Sequence, residues 1–334
     1  MPRKAIALLS GGLDSILATK IILEQGIEVE AVNFLTVFCT CTSRSETCLA
    51  SKSAADKLSI KLKVFEVSKE YLEIVRNPKH GYGRNMNPCI DCRIFMFKKA
   101  GQYMKETGAQ FIITGEVLGE RPMSQRIDAL RIIERESGLE GLILRPLSAK
   151  LLEITIPEKL GLVDRGRLLA IKGRSRKPQM QMANKLGIND YPCPAGGCLL
   201  TDPGFARKMR DLLKYNPDFI IDDVQLLKKG RHFRISPVAK FIVGRNEEEN
   251  QKLLNLSRNG DLCFYPNKVK GPIGIGRGIF DKENLNIAAA IIARYSDKDL
   301  EQQIEITYQQ ISSDVLYTTL TLPIEECQLE GIRI

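Results

Sequence analysis

Hydrophobic and polar positions along the first two hundred residues switch repeatedly between two periods. Ala5-Ile6-Ala7-Leu8-Leu9 is an apolar run long enough for one buried strand, and Ile16, Leu17, Ile21 and Ile22 then fall at helical spacing. The pattern predicts further strands over 28–34, 61–67 and 111–115, and helices over 49–58 and 94–107. Strands alternating with helices place the chain in the α/β class, with a doubly wound, mostly parallel sheet. Ligands of such sheets bind beyond the carboxyl ends of the strands. That puts residues 10–15 and 114–116 on one rim. Residues 120–192 are mixed, with a helix over 125–137. The turn-forming cluster Thr201-Asp202-Pro203-Gly204 marks a boundary, giving domains 1–203 and 204–334. The second reads as smaller and α+β, with helices at 205–213, 247–256 and 285–295 and strands at 239–244, 304–308 and 315–322.

Between the first strand and helix lies Ser10-Gly11-Gly12-Leu13-Asp14-Ser15. The glycines let backbone N–H groups approach a ligand, and a helix starting near Ser15 favours an anion there. Asp14 would repel a bare phosphate but suits Mg²⁺ bridging two phosphates. No Lys-Ser/Thr follows, so this is not the Walker loop. The loop resembles the pyrophosphate loop of the N-type ATP pyrophosphatases, whose fold is of the PP-loop/HUP type. The resemblance implies ATP and Mg²⁺ held by Ser10, Gly11, Gly12, Asp14 and Ser15; Thr114 and Gly115 on the same rim are expected to join them.

The chain has 334 residues, 43% of them hydrophobic and 27% charged. No run approaches the ~20 apolar residues that span a bilayer, and Met1-Pro2-Arg3-Lys4 leads straight into a strand rather than a signal peptide. A cytoplasmic protein without a membrane partner is expected. The net charge of +9 lies entirely in residues 1–200, pointing to an anionic macromolecule near the loop. With only two histidines, imidazole acid–base chemistry has few agents.

Nine cysteines in such a protein argue for metal or catalytic sulfur rather than disulfides. Cys89-Ile90-Asp91-Cys92 stands at a helix entrance, where the dipole would lower a thiol pKa. It suits zinc, a redox pair or an iron–sulfur cluster. Downstream, Cys193 and Cys198 flank a loop of Pro194-Ala195-Gly196-Gly197. Cys39, Cys41 and Cys48 form a further group able to relay sulfur or serve only structure; Cys263 and Cys327 read as packing.

Asn87-Pro88-Cys89-Ile90-Asp91-Cys92, Thr114-Gly115-Glu116, Arg121-Pro122-Met123-Ser124-Gln125, Gly173-Arg174-Ser175-Arg176-Lys177 and Pro194-Ala195-Gly196-Gly197-Cys198 together resemble tRNA thiouridine synthases and a sister group of sulfurtransferase-like ATP pyrophosphatases. The resemblance implies an ATP-dependent tRNA uridine thiolase. Asp14 and Ser15 would serve adenylation of a uridine carbonyl oxygen, and Cys89 and Cys198 sulfur transfer. Cys89, Cys92 and Cys198, with Cys193 as substitute for Cys198, would hold a [4Fe–4S] cluster or carry a persulfide; zinc is the rival occupant. Sulfide or a persulfide carrier would donate sulfur, and thiolation relatives are often homodimers.

The basic run containing Arg174, Arg176 and Lys177 would grip tRNA phosphates. From Phe241 onward, Gly244-Arg245-Asn246, Gly260-Asp261-Leu262-Cys263-Phe264 and Ala293-Arg294-Tyr295-Ser296 resemble the NFACT-R type of RNA-binding domain, although that type's Trp and His are replaced around Cys263. RNA contact there is expected at Arg245, with Lys268, Lys270 and Arg277 beside it. Two other readings stay open: a pyrophosphate-loop synthetase acting on a small molecule (deazaguanine- or amide-forming), and a non-catalytic RNA-binding adaptor.

Overall fold

The computed structural model describes residues 3–39, 46–188, 191, 198–297 and 302–334. It divides into two compact units, Met1–Thr201 and Asp202–Ile334.

In the first unit the elements run β1 (Lys4–Leu8), α1 (Leu13–Leu23), β2 (Glu28–Leu35), α2 (Glu46–Lys57), β3 (Leu62–Glu66), α3 (Ser68–Arg76), α4 (Cys89–Glu106), β4 (Phe111–Thr114), α5 (Ile127–Ser137), β5 (Ile143–Leu144), α6 (Ile156–Lys159) and α7 (Lys177–Lys185). The strands form one parallel sheet in the order β3-β2-β1-β4-β5. Because side chains alternate across a strand, β1 supplies two cores at once. Ala5 and Ala7 pack with α1, Phe111 and Ile113 on one face; Ile6 and Leu8 pack with α4, Phe34 and Ile112 on the other. Chain order reverses on either side of β1, where β2 and β4 lead in opposite directions. The rim above β1 and β4 is therefore the switch point at which such sheets bind ligands.

Helices α3, α6 and α7 and the short β5 are not expected from the sequence pattern, and α4 starts earlier than expected. Helix α4 begins at Cys89, five residues before the expected start at Ile94, and its first turn is Cys89-Ile90-Asp91-Cys92. Helix α3 has the strongly amphipathic set Tyr71, Leu72 and Val75 buried.

The second unit runs α8 (Pro203–Tyr215), α9 (Ile221–Leu227), β6 (Arg231–Ser236), β7 (Ala239–Val243), α10 (Glu247–Asn255), β8 (Leu262–Pro266), β9 (Gly274–Gly278), α11 (Lys282–Arg294), β10 (Ile304–Gln310), β11 (Tyr317–Thr321) and α12 (Glu326–Ile332). Its six strands form an antiparallel sheet ordered β11-β10-β8-β9-β7-β6. The Ala-rich α11 buries Ala288, Ala289, Ile291 and Ile292 against Phe233, Phe241, Phe264 and Ile306. Strand β9, Gly-Ile-Gly-Arg-Gly, carries no strand propensity of its own. Its glycines make room for neighbours: a Cβ on Gly274 would enter the Phe241 ring, and one on Gly276 would lie 2.7 Å from Phe280. No described helix is long and apolar enough to cross a membrane.

Candidate active site

The Ser10–Ser15 loop leaves β1 and enters α1 at the switch point. Gly11 adopts φ +81°, and a Cβ there would lie 2.5 Å from the Ala50 carbonyl carbon and 2.7 Å from Ser51 N. From the other side a Cβ on Gly115 would lie 2.5 Å from the Asp14 carbonyl carbon and closer still to Ser15 N. Both positions thus exclude any side chain, so the loop is clamped between α2 and the end of β4. Within it, Gly12 N–H donates to Ser10 Oγ at 3.3 Å and the Ser15 hydroxyl donates to the Gly12 carbonyl at 2.8 Å. The first-turn N–H groups of α1 have no partner inside the helix, which suits an anion.

Asp14 carries the polar chemistry of this loop. Its Oδ1 is buried with no hydrogen-bond partner, while Oδ2 accepts from Arg176 at 3.5 Å. Burial raises its pKa, opposed chiefly by the Arg176 charge and by the adjacent Gln179 amide. An orphaned, buried carboxylate oxygen beside a phosphate-type loop is the donor a Mg²⁺ ion would fill, so the residues present fit that ion.

Arg176 reaches Asp14 because α7, which follows the basic run, packs on α1 and fully buries Gln179. The basic run is therefore split in purpose: Arg174 and Lys177 are exposed, whereas Arg176 turns inward to the loop. Sequence spacing could not separate them, because the inward turn depends on α7 docking.

Thr114 ends β4 beside Leu8, and Gly115 provides the close approach described above. Glu116 points away from the loop. It is 2% exposed and held by Arg145 at 3.1 Å and Arg93 at 3.2 Å. Arg93 follows Cys92 on α4, so this buried ion network links the end of β4 to the helix bearing both thiols. Nothing in the sequence marked Arg93 or Arg145; only their pairing with Glu116 does.

The sulfur residues gather around Tyr71. Its pKa is raised well above the usual range by burial and by the neighbouring Cys92, Cys198 and Cys89. Cys39 joins them: it pairs with Cys198 across an isolated antiparallel bridge, with Leu199 N donating to the Phe38 carbonyl at 2.9 Å. Thr36 N–H donates to the Cys39 sulfur at 3.3 Å. All four thiols are free. The expected helix-dipole activation does not prevail. Burial raises Cys89 against the pull of Arg121 and Arg93, raises Cys92, and pushes Cys198 up to about 12. At Cys89 the cost of desolvating a thiolate exceeds what the two arginines and a backbone hydrogen bond return. Among the described residues no three His, Cys, Asp or Glu side chains are arranged to hold a metal ion. Cys41, Cys193 and the Pro194–Gly197 stretch lie outside the described residues, as does the Cys48 side chain. Cys263 is buried in the second unit, as a packing residue should be, whereas Cys327 is exposed on the polar side of α12 and does not pack as expected.

In the second unit the expected basic patch is partly consumed. Arg277 forks onto Asp261 at 2.6 Å and Asp223 at 2.8 Å, so it is a structural cation rather than a free one. Arg245 pairs with Glu249 at 3.3 Å and stays half-exposed.

Known proteins bear on both units. Residues 2–155 match the family described as thiamine biosynthesis protein (ThiI), and residues 230–330 match the family described as NFACT protein RNA binding domain. A probable tRNA sulfurtransferase of Lysinibacillus sphaericus is 29% identical over 160 residues, covering 47% of this chain and 38% of that relative. One from Thermococcus kodakarensis is 29% identical over 153 residues, covering 43% and 36%. The chain thus spans well under half the length of these relatives. A solved complex of a 4-thiouridine synthetase with RNA and bound ATP superposes with a TM-score of 0.39 at 20% identity, over 68% of this chain and 52% of that one. In one chain, then, a pyrophosphate-loop domain of the ThiI type precedes an RNA-binding domain of the NFACT type.

Proposed function

We propose that this chain is an ATP-dependent tRNA uridine thiolase working in the cytoplasm. The observation that carries the reading is the meeting on one sheet rim of a clamped pyrophosphate-type loop, with its orphaned Asp14 oxygen, and an α4 that presents Cys89 and Cys92. The sulfurtransferase relatives support the same chemistry.

The first step would be attack of a uridine carbonyl oxygen on the α-phosphorus of ATP, with pyrophosphate leaving. Backbone N–H groups of Gly11 to Ser15 would hold the phosphates, Asp14 would hold Mg²⁺, and Arg176 would sit where charge builds on the phosphates. Mg²⁺ supplies charge neutralisation there. Positioning and electrostatics carry such a step, which fits a site without histidine. Adenylation is needed because a carbonyl oxygen leaves poorly until it is a phosphate ester. Sulfur then attacks the same carbon and AMP departs.

The sulfur would come from the thiols around Tyr71. In the persulfide form, the outer sulfur of a persulfide on Cys89 or Cys198 bonds to the carbon; a second thiol then attacks the inner sulfur. The uridine keeps its new sulfur and a disulfide remains for an external dithiol to reduce. In the cluster form, Cys89, Cys92 and Cys198 would be the ligands of a [4Fe–4S] centre, which supplies an open iron for hydrosulfide.

Release of pyrophosphate from ATP with and without tRNA tests this reading. Strict dependence on tRNA is expected; an RNA-binding adaptor would release none, and a small-molecule synthetase would be indifferent to tRNA. Iron, sulfide and zinc analysis of anaerobically purified wild type and Cys198→Ala separates the sulfur routes: about four irons and four sulfides, lost in the variant, mean the cluster. Metal-free, thiolation-competent protein means the persulfide.

A further inference from the structure

One cavity of the second unit gathers more cations than the side-chain carboxylates beside it match. Lys208, Arg231, Arg245 and Arg333, together with His232 and Tyr295, line a cavity of about 360 Å³. Lys208 reaches in from α8 and donates to the Leu227 carbonyl at 3.1 Å. Arg231 donates to the Gly244 carbonyl at 3.2 Å, with its guanidinium 4.5 Å from the centre of the Tyr295 ring. Arg333 donates to the Tyr295 hydroxyl at 2.9 Å. The aromatic ring and these carbonyls hold the cations in place without neutralising them.

Ile334, with its α-carboxylate, also lines the cavity, and two side-chain carboxylates come near. Glu249 pairs with Arg245 at 3.3 Å, but its other oxygen accepts from the N–H groups of Gly230 and Arg245. Glu326 lies 3.8 Å from Arg333 and is held more closely by Arg294 at 2.7 Å. Among the described residues Lys208 and Arg231 form no ion pair. Burial and the charges of Arg245 and Lys240 bring Lys208 down to about 8, the sign of crowded, unmatched positive charge.

His232 adds no charge to the cavity. His232 is 1% exposed, and its Nε2 lies 2.7 Å from the Lys229 carbonyl, which makes that nitrogen the N–H donor. The neutral ring then keeps an acceptor at Nδ1, and that atom is buried without a partner. The backbone of a ribonucleotide strand offers what the cavity lacks, a phosphate for the cations.

We propose that this cavity is a phosphate seat, in which Lys208, Arg231, Arg245 and Arg333 hold a backbone phosphate of an RNA strand. It gives the RNA reading of this unit a definite place, different from the patch of Lys268, Lys270 and Arg277. Its test reads binding alone and so stands or falls apart from the thiolation chemistry.

The full chain is titrated with unfractionated tRNA at several KCl concentrations, as wild type, as Arg245→Gln/Arg333→Gln and as Lys268→Gln/Lys270→Gln. The side chains of Arg245 and Arg333 are 48% and 44% exposed, so their replacement removes charge with little loss of packing. The expected result is weaker binding by Arg245→Gln/Arg333→Gln and a slope of log affinity against log salt shallower by about 1, with Lys268→Gln/Lys270→Gln unchanged. In parallel, inorganic pyrophosphate is tested as a thermal stabiliser of all three proteins. Loss of that stabilisation only in Arg245→Gln/Arg333→Gln, with an unmoved tRNA slope, would assign the seat to a free phosphate compound instead of RNA. Equal slopes for all three proteins with no selective pyrophosphate effect would overturn the seat.

Discussion

Cys39 and Cys198 stand opposite each other as a pair in an antiparallel bridge. The flanking bond from Leu199 N to the Phe38 carbonyl makes theirs the non-hydrogen-bonded kind of pair. Cα atoms of such pairs lie about 4.5 Å apart, within the range a disulfide spans. A thiol from the turn after β2 is therefore placed against the downstream thiol that the sequence motif singles out.

Mild oxidation with diamide is expected to join Cys39 to Cys198 in preference to any pairing with Cys89 or Cys92. Peptide mapping by mass spectrometry reads the link directly. Cys39→Ser should abolish it without loss of folding, and a dominant Cys89–Cys198 link would contradict the arrangement.

Burial holds Cys198 protonated up to about 12. Iodoacetamide should therefore label it far more slowly than an ordinary exposed thiol at pH 8, with a rate still climbing at pH 10. Rapid labelling that levels off near pH 8.5 would show an activated thiolate and contradict the burial argument.

Asp14 is raised by burial, with Arg176 pulling the other way. A protonated Asp14 cannot hold a cation, so Mg·ATP binding should fall with decreasing pH at values above the ordinary carboxylate range of about 4. The ligand-free protein moves oppositely. A carboxyl raised in the folded state favours its protonated form there, so its contribution to stability improves as pH falls through that window. Asp14→Asn should cut pyrophosphate release on the order of 100-fold or more and remove the acid limb in ATP binding. An unchanged pH profile in Asp14→Asn would remove Asp14 from the site.

Gly115→Ala tests the clamp on the loop. The added methyl meets Asp14 and Ser15 backbone rather than a side chain that could swing away. A loss of about 1–3 kcal/mol in stability is expected, together with weakened ATP binding. Chemical denaturation and nucleotide titration measure the two effects. A variant with wild-type stability and affinity would mean that the loop moves freely.

Much of this site was legible in the sequence because its signals are local. The strand-loop-helix around Ser10–Ser15 and the Cys89–Cys92 helix start are read from neighbouring residues, and both stand where expected. What escaped depends on packing between distant segments. Arg176 is one of several cations in its run, and only the docking of α7 on α1 turns it to Asp14. Cys39 is one of three cysteines in a cluster, and only the bridge to residue 198 selects it. The thiol pKa shifts reverse the sequence-based expectation for the same reason, since a helix start is visible in sequence and its burial is not. Strand β9 was hidden because its glycines serve Phe241 and Phe280 rather than strand propensity.

The central claim is that ATP cleavage at the Ser10–Ser15 loop delivers sulfur to a tRNA uridine. The most direct measurement is nucleoside mass spectrometry of tRNA incubated with the full chain, Mg·ATP and ³⁴S-labelled sulfide or persulfide, with AMP and pyrophosphate followed in the same mixture. The account predicts ³⁴S-thiouridine appearing with AMP in equal amounts, absent with Asp14→Asn and with Cys198→Ala. AMP formed without thiouridine, or thiouridine formed equally by Asp14→Asn, would contradict it.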